Sequence, residues 1–409
     1  MTTPVLEVII AVCMAAVVYH YAGYPLVLFL AAQLAQAKSD LLYLFGRKSR
    51  RCAFPPDYLP RVALLVSAYN EAAMIKAKAS NTLQLDYPPD RLECLFGLDA
   101  PSDDTPELLA QVQSSRLSVH HFDRRRGKLA VLCDLVQRTS AEILVLTDAN
   151  TMLDRNCVRN MVRHFVDPHV GAVSGEEIRV VAAGTDPGAE SLYWRYESAL
   201  KLLESRLNCS LGGNGAALAV RRSLFRPQKQ SIVEDFQIPM EIRFRGHRVV
   251  YDPEAVAVEE IAPTFSSQFA RRVRISAGNY QTLFHHPEYL SPFRGFLSFS
   301  FLSHRLLRWL VPMFLVAAFL CSIPLAARLD LAIPLALQCL FYGMAGLGYW
   351  RRKNNKPARL LAAPLYFCSM NLALILGLVR YLSGRQSLAW SATPRIAPEV
   401  LWNHTQGDR

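Results

Sequence analysis

The sequence predicts an α/β domain, with a mostly parallel β-sheet covered by helices on both faces, together with several transmembrane helices. Between about residues 60 and 261, short apolar strands alternate with helical stretches. Such alternation is typical of parallel strands joined by helical crossovers. Outside this region, four long stretches contain almost no charged residue, and a chain of 409 residues has room for more than one domain.

The elements of the alternating region follow one another in order. Each predicted strand is a short apolar run bounded by polar or turn residues, and each predicted helix has apolar residues at helical spacing. A helical stretch is expected between the first two strands. The other predictions are strands at 62–66, 92–98, 119–122 and 143–146, and helices at 106–114, 128–138 and 236–244.

Polar residues follow three of these strands, namely Asn70 and Glu71, Asp99, and Asp148 and Asn150. A single acid in such a place often caps the next helix. Three polar clusters along one sheet edge indicate a ligand site instead, because ligands of open parallel sheets bind beyond the carboxyl ends of the strands. Neighbouring carboxylates repel unless a cation lies between them, and hard oxygen ligands suit Mg²⁺ or Mn²⁺.

Several other site classes lack support. The sequence has no G-x-x-x-x-G-K-[ST] motif and no G-x-G-x-x-G motif after a strand, so neither a P-loop nor a dinucleotide fold is indicated. The basic segment 124–128 opens a helix and could present cations and backbone N–H groups to an anion, or could be a solvated turn. The nine cysteines show no C-x-x-C pair and suit a reducing compartment.

The apolar runs lie at 8–34, 310–327, 331–350 and 360–379, and each is near the roughly 20 residues that a membrane-spanning helix needs. The first run has Glu7 and no basic residue before it, which favours an anchor over a signal peptide, although 35–37 resembles a cleavage site. Basic residues after this run predict a cytoplasmic position for the next domain, in a multi-pass protein of the inner (plasma) membrane.

The net charge of +11 comes mainly from basic residues beside the apolar runs, which indicates a bilayer partner and no nucleic acid.

Segment 291–304 suits an interfacial helix. Three membrane crossings after a cytoplasmic domain would put the C-terminal tail outside the cell, whereas the arginines of the tail favour the cytoplasmic side. A re-entrant C-terminal segment is therefore an open alternative. The predicted divisions are an anchor (1–37), a cytoplasmic domain (55–265), a basic and interfacial segment (266–304), C-terminal transmembrane helices (305–383) and a tail (384–409).

Seven motifs together resemble the membrane-bound inverting glycosyltransferases of family 2, which include the cellulose, hyaluronan and poly-N-acetylglucosamine synthases. The resemblance covers about residues 60–281 and the flanking membrane helices. It implies a GT-A fold, a nucleotide-sugar donor such as a UDP-sugar, Mg²⁺ or Mn²⁺, a lipid-linked or glycan acceptor, and other polysaccharide-synthesis proteins as candidate partners. The motifs are SAYNE (67–71), GLDAPSDDT (97–105), RRRGKLAVL (124–132), TDANT (147–151), GAVSGE (171–176), GGNGAALAVRRSLF (212–225) and VEDFQIPMEIRFRGHRVVYDPEA (233–255).

The resemblance also implies roles for the strand-end residues. Asp148-Ala149-Asn150 is similar to the family's D-x-D motif, with Asn in place of the second Asp. Asp148 would then ligate the metal that holds the diphosphate, and Asn150 would offer a carbonyl oxygen. The remaining residues implied to bind the nucleotide-sugar are Ser67, Asn70, Glu71, Asp99, which would contact the nucleoside, and Lys128.

The acids 234–235 resemble the family's T-E-D motif. The resemblance implies that Asp235 is the general base that takes the acceptor's proton, with Glu234 as the alternative. The two acids could instead stabilise the positive end of the following helix.

Two further segments resemble family motifs. Arg271 and Arg274 match Q/R-x-x-R-W and would lie over the diphosphate, but Ile275 replaces the Trp of processive members. We therefore expect addition of one or a few sugars. The glycine turn with Gly213, Asn214 and Gly215 would allow close approach of the backbone on the acceptor side, or could be a plain turn.

Two other functions stay open. A nucleotidyltransferase that makes an activated sugar would also place acids at its sheet edge, but it needs no membrane helices. A membrane carrier with a regulatory nucleotide-binding domain is the second alternative. The absence of charged residues from the predicted membrane runs argues against a carrier, whose pathway would need them.

Overall fold

The computed structural model describes residues 3–47, 54–55, 57–180, 188–226, 233–260, 264–354, 356 and 358–385. The chain forms two compact units. The sheet unit lies within 39–180 and 204–268, and the helical unit lies within 3–38, 188–203 and 269–385.

The elements of both units are given in chain order. The strands are β1 (Val62–Ala68), β2 (Leu92–Asp99), β3 (Leu117–Phe122), β4 (Ile143–Asp148), β5 (Thr151–Leu153), β6 (Val170–Val180), β7 (Leu218–Arg221) and β8 (Arg248–Glu260). The helices are α1 (Thr3–Val18), α2 (Tyr24–Leu44), α3 (Ala72–Leu83), α4 (Thr105–Ala110), α5 (Lys128–Gln137), α6 (Cys157–Val162), α7 (Gly188–Arg206), α8 (Glu234–Phe244), α9 (Phe265–His285), α10 (Phe296–Ser300), α11 (Leu307–Ser322), α12 (Leu329–Lys353) and α13 (Arg359–Leu382).

The sheet unit contains one sheet with strand order β3-β2-β1-β4-β7-β6-β8-β5. The first four strands in this order are parallel, as predicted from their alternation with helices. The other half is mixed, because β7 runs antiparallel to both β4 and β6, and β5 runs antiparallel to β8. The prediction of a mostly parallel sheet therefore holds for the four strands from which it was inferred.

Helices cover both faces of the sheet, as predicted. Alternate side chains of β1 point to opposite faces. Val62, Leu64 and Val66 are buried in a core that includes residues of α3, whereas Ala63 and Leu65 are buried against residues of α5 and α8. The sheet is therefore the middle layer between two helical layers.

The carboxyl ends of the parallel strands meet at one edge, because Ser67 of β1 is in register with Gly97 of β2 and with Asp148 of β4. β4 continues two residues beyond its predicted end and finishes on Asp148 itself. Helix α8 begins two residues before its predicted start, so that Glu234 and Asp235 form its first turn. Both extensions bring acids into defined elements beside that edge.

In the helical unit, four helical runs of the described chain are long and apolar enough to cross a membrane: Thr3–Leu44, Phe296–Leu325, Ala332–Lys353 and Arg359–Leu382. They overlap all four predicted apolar runs. Segment 291–304 does not form a separate interfacial helix, because helical structure begins at Phe296 and continues through a π-helical turn at Phe301–Leu306 into α11. The basic segment 48–51 and the tail from 386 lie outside the described residues.

The helical unit contains a buried ion pair that the sequence analysis missed. Nη1 of Arg308 lies 2.7 Å from Oε1 of Glu197, and the two side chains are only 16% and 7% exposed. Burial would raise the pKa of Glu197, but Arg308 and His304 lower it well below its ordinary range. Arg308 lies just before the predicted run 310–327, but the helical run Phe296–Leu325 that overlaps it contains this arginine.

We predict that Arg308→Met lowers the thermal midpoint of the detergent-purified protein strongly, because removal of one partner of a buried pair typically costs about 3–5 kcal/mol. Arg328→Met is a matched control, since Arg328 pairs with Glu7 in the same unit but is largely exposed. Such exposed pairs contribute about 0–1 kcal/mol. Equal midpoints for the two variants would contradict the importance of the buried pair.

Candidate active site

Lys128 joins two elements of the sheet unit by binding one acid from each. The loop before it ends at Gly127, whose φ of 93° is in the region that favours glycine, and α5 begins at Lys128. Nζ of Lys128 lies 2.5 Å from Oδ1 of Asp148 at the end of β4, and it also contacts Oε1 of Glu234 at the start of α8. Burial opposes the charge on Lys128, but the two carboxylates raise its pKa above the ordinary value. Lys128 is therefore held as a cation.

Three charged groups face the open side of Gly215. A methyl group on its Cα would lie 3.6 Å from Oδ2 of Asp148, 3.7 Å from Oδ2 of Asp235 and 3.7 Å from Nζ of Lys128. Because Gly215 has no side chain, no atom of its own occupies this space. Two carboxylates and one ammonium group thus border a single small volume.

Asp235 and Glu234 are neighbours in the first turn of α8, but their surroundings differ. Glu234 is 8% exposed and its carboxylate binds Lys128. Asp235 is more exposed, and its carboxylate borders the space at Gly215. The backbone carbonyl of Asp235 accepts a hydrogen bond of 2.7 Å from the Gly213 amide, which fixes the helix start against the glycine turn.

Only one of the three residues predicted on the acceptor side borders the space. Asn214 is 3% exposed, and its Oδ1 accepts a hydrogen bond from the Ala216 amide. Gly213 packs so closely that an added methyl group would lie 2.7 Å from a Leu218 side-chain carbon. Both residues shape the turn that presents Gly215, and their contact with the acceptor stays a prediction.

The polar residues at the end of β1 and directly after it differ in whether their hydrogen bonds are satisfied. Oγ of Ser67 is buried, and no partner for it lies among the described residues. Asn70 adopts a φ of 53° and exchanges hydrogen bonds with Ser102, which ties the first strand-end loop to the second. The backbone amide of Glu71 donates to Oγ1 of Thr105. Ser67 is the member of this group whose hydroxyl has no hydrogen-bond partner among the described residues.

Asp99 is turned away from the surface. It is 0% exposed, and its two carboxylate oxygens accept hydrogen bonds of 2.8 Å from the amides of Arg126 and Gly127. Asp99 thus fixes the loop that leads into Lys128. Its contact with a nucleoside stays a prediction.

The amide of Asn150 is directed at Glu259 of β8, with Nδ2 donating over 3.0 Å to Oε1. The oxygen of the same amide is the atom left for a metal. The described residues contain no group of three His, Cys, Asp or Glu side chains placed to hold a metal ion. Mg²⁺ is commonly bound by one or two carboxylates together with substrate phosphates, so Asp148 with a phosphate ligand fits a divalent cation.

The predicted arginines lie in the other compact unit. Arg271 and Arg274 are on α9, whose residues from 269 onwards belong to the helical unit. Their neighbour Arg272 lies over the Tyr366 ring, with 4.6 Å between its Cζ atom and the ring centroid.

Sequence reasoning missed Lys78, which is fully buried on α3 beneath the end of β4. A signal was present, because Lys78 follows Met74 and Ile75 at helical spacing and so lies on the buried face of its helix. A fully buried lysine is rare unless its ammonium group is paired with other polar groups.

Comparison with known proteins finds a family match within the sheet unit and part of α7. The family model described as glycosyl transferase family 2 matches residues 63–226. The poly-beta-1,6-N-acetyl-D-glucosamine synthase of Staphylococcus aureus is 25% identical over 238 residues, 56% of this chain and 56% of that protein. The beta-monoglucosyldiacylglycerol synthase of Synechocystis is 24% identical over 334 residues, 75% of this chain and 69% of that protein.

The chain thus spans about half the length of the staphylococcal relatives. A solved structure of the mannosyltransferase PcManGT from Pyrobaculum calidifontis, in complex with GDP-Man and Mn2+, matches with a TM-score of 0.69 and 24% identity, covering 92% of this chain and 100% of that one. This likeness confirms the predicted GT-A fold.

We predict that Asp99→Asn destabilises the sheet unit by about 1–3 kcal/mol, because the amide leaves a buried N–H without its acceptor. Hydrogen exchange at the amides of Arg126 and Gly127 should become faster. Asp123→Asn, which changes an exposed acid of the same loop, is the control. Unchanged exchange and thermal midpoint in Asp99→Asn would contradict the assigned role.

Proposed function

We propose that this chain, whose residues 63–226 match the family model described as glycosyl transferase family 2, is a membrane-bound inverting glycosyltransferase. It transfers a sugar from a nucleotide-diphospho-sugar to a lipid-linked or polysaccharide acceptor. The observation that carries the proposal is the open space at Gly215, bordered by Asp148, Asp235 and Lys128. A diphosphate needs cations and a metal ligand, and an acceptor hydroxyl needs a base.

Lys128 would hold the donor's diphosphate, and Asp148 and the amide oxygen of Asn150 would be the ligands of a divalent cation. When bound, such a cation neutralises charge that develops on the leaving diphosphate. Mn2+ accompanies GDP-Man in the PcManGT structure, which supports a metal here. Arg271 and Arg274 on α9 stay predicted sources of further positive charge, and the Ser67 hydroxyl, which has no partner among the described residues, stays a predicted contact of the nucleotide.

Asp235 is the general base. The acceptor oxygen attacks the anomeric carbon while the bond from that carbon to the diphosphate oxygen breaks, and the electron pair leaves with the nucleoside diphosphate. The acceptor's proton passes to the Asp235 carboxylate. A single displacement of this kind inverts the anomeric configuration. Glu234 is the weaker candidate, because its carboxylate is buried against Lys128.

The acceptor is membrane-associated, and the catalytic unit faces the cytoplasm of the inner (plasma) membrane. Four apolar helical runs support membrane insertion. Ile275 stands where processive members have Trp, and the glycolipid synthase from Synechocystis is matched over a larger share of both chains than the staphylococcal synthase. Both observations favour addition of one or a few sugars to a lipid-linked acceptor over synthesis of a long polymer.

We predict that the detergent-purified protein releases nucleoside diphosphate from one member of a panel of UDP- and GDP-sugars when membrane lipids are supplied. Release should stop with EDTA and return with Mg²⁺ or Mn²⁺. Asp148→Ala is the negative control, and the mass of the product separates single addition from polymer. Synthesis of a nucleotide-sugar from a nucleoside triphosphate, without glycosyl transfer, would favour a nucleotidyltransferase instead.

We predict that Asp235→Asn folds and binds donor as the wild type does but transfers roughly 10²–10⁴-fold more slowly, because the amide cannot accept the proton. Glu234→Gln is the matched variant. It should weaken donor binding through Lys128 while retaining much of kcat. The reverse pattern, with kcat kept in Asp235→Asn and lost in Glu234→Gln, would move the base to Glu234.

A further inference from the structure

Lys78 of α3 is a fully buried lysine in the core of the sheet unit, with an exposure of 0%. Burial of an ammonium group is costly unless its hydrogen bonds are satisfied. Burial lowers the pKa of Lys78 to about 7, and the nearby Asp148 carboxylate opposes part of that shift. Methionine could fill much of the same volume without this cost. The lysine therefore calls for a role beyond packing.

The contacts of Lys78 bracket the predicted metal-binding turn. Nζ donates to Oγ1 of Thr147 over 2.9 Å and to the carbonyl oxygen of Thr151 over 2.5 Å. Thr147 comes directly before Asp148, and Thr151 directly after Asn150. One ammonium group thus binds both ends of the turn from β4 into β5.

The middle of the same turn has a second attachment, since Asn150 donates to Glu259. Glu259 of β8 is the register partner of Thr151. The turn is therefore fixed at both ends by Lys78 and near its centre by Glu259, which leaves Asp148 as the member whose carboxylate points towards Lys128 and Gly215.

We propose that Lys78 is a positioning residue for Asp148, which fixes the backbone turn at 147–151 so that the Asp148 carboxylate is in place before a ligand binds. The inference rests on the proposed function, because it concerns the metal and diphosphate that Asp148 would hold. Mutation of a residue that orients a metal ligand through hydrogen bonds typically lowers metal affinity or activity by about 10–100-fold.

Asn81 offers a matched control. It lies one turn further along α3, is 5% exposed, and binds the same short strand through two hydrogen bonds of 2.9 Å to the backbone of Leu153. It is similar to Lys78 in burial and in its backbone partners, but it contacts the end of β5 that is farther from Asp148 in sequence. Asn81→Leu should therefore destabilise the unit without acting on Asp148.

The test measures Mn²⁺-dependent binding of UDP and of GDP by the full chain in detergent, together with the thermal midpoint without ligand. Lys78→Met should weaken Mn²⁺-dependent nucleotide binding by about 10–100-fold. Asn81→Leu should bind close to wild type despite a comparable fall in midpoint. Thr147→Val removes one acceptor of Lys78 with little change in size, and it should weaken binding in the same direction.

Wild-type binding in Lys78→Met, or equal weakening in Lys78→Met and Asn81→Leu, would overturn the inference. If Lys78→Met does not fold, Thr147→Val decides, and wild-type binding by that variant would also overturn it. If the wild-type protein binds neither nucleotide with Mn²⁺, the proposed function is refuted, and the proposed role of Lys78 is refuted as well.

Discussion

The contacts of Lys128 with Asp148 and Glu234 are the interaction on which the candidate site depends. One ammonium group joins the end of a central parallel strand to the start of a helix that lies far away in sequence. Without it, two partly buried carboxylates would face each other uncompensated. The same cation borders the space at Gly215, so the group that stabilises the acids is also available to an anionic ligand.

Most polar residues near this cation hold backbone in place and have little surface for a ligand. Asp99 fixes the loop that leads to Lys128, Asn214 closes the turn that presents Gly215, and Lys78 binds both ends of the turn that contains Asp148. This division between residues that position the backbone and residues that face the ligand is physically reasonable, because a site that binds a diphosphate needs its charges in position before the ligand arrives.

The sequence predicted the parallel half of the sheet and its acidic edge, because apolar runs followed by Asp99 and Asp148 are local patterns. It did not predict which of these acids faces outward. That depends on partners such as the amides of Arg126 and Gly127, which no periodicity reveals. The antiparallel strands beyond β4 and the pairing of Arg308 with Glu197 likewise depend on contacts between distant segments.

We propose that the space at Gly215 receives the diphosphate of a nucleotide-sugar. An experimental structure of the full chain with Mn²⁺ and the nucleoside diphosphate that it binds tests this most directly. We expect the metal on Asp148, the phosphates in contact with Lys128 above Gly215, and Asp235 left facing the acceptor side. A nucleotide bound elsewhere, with Lys128 and both acids unchanged and away from it, would contradict the claim.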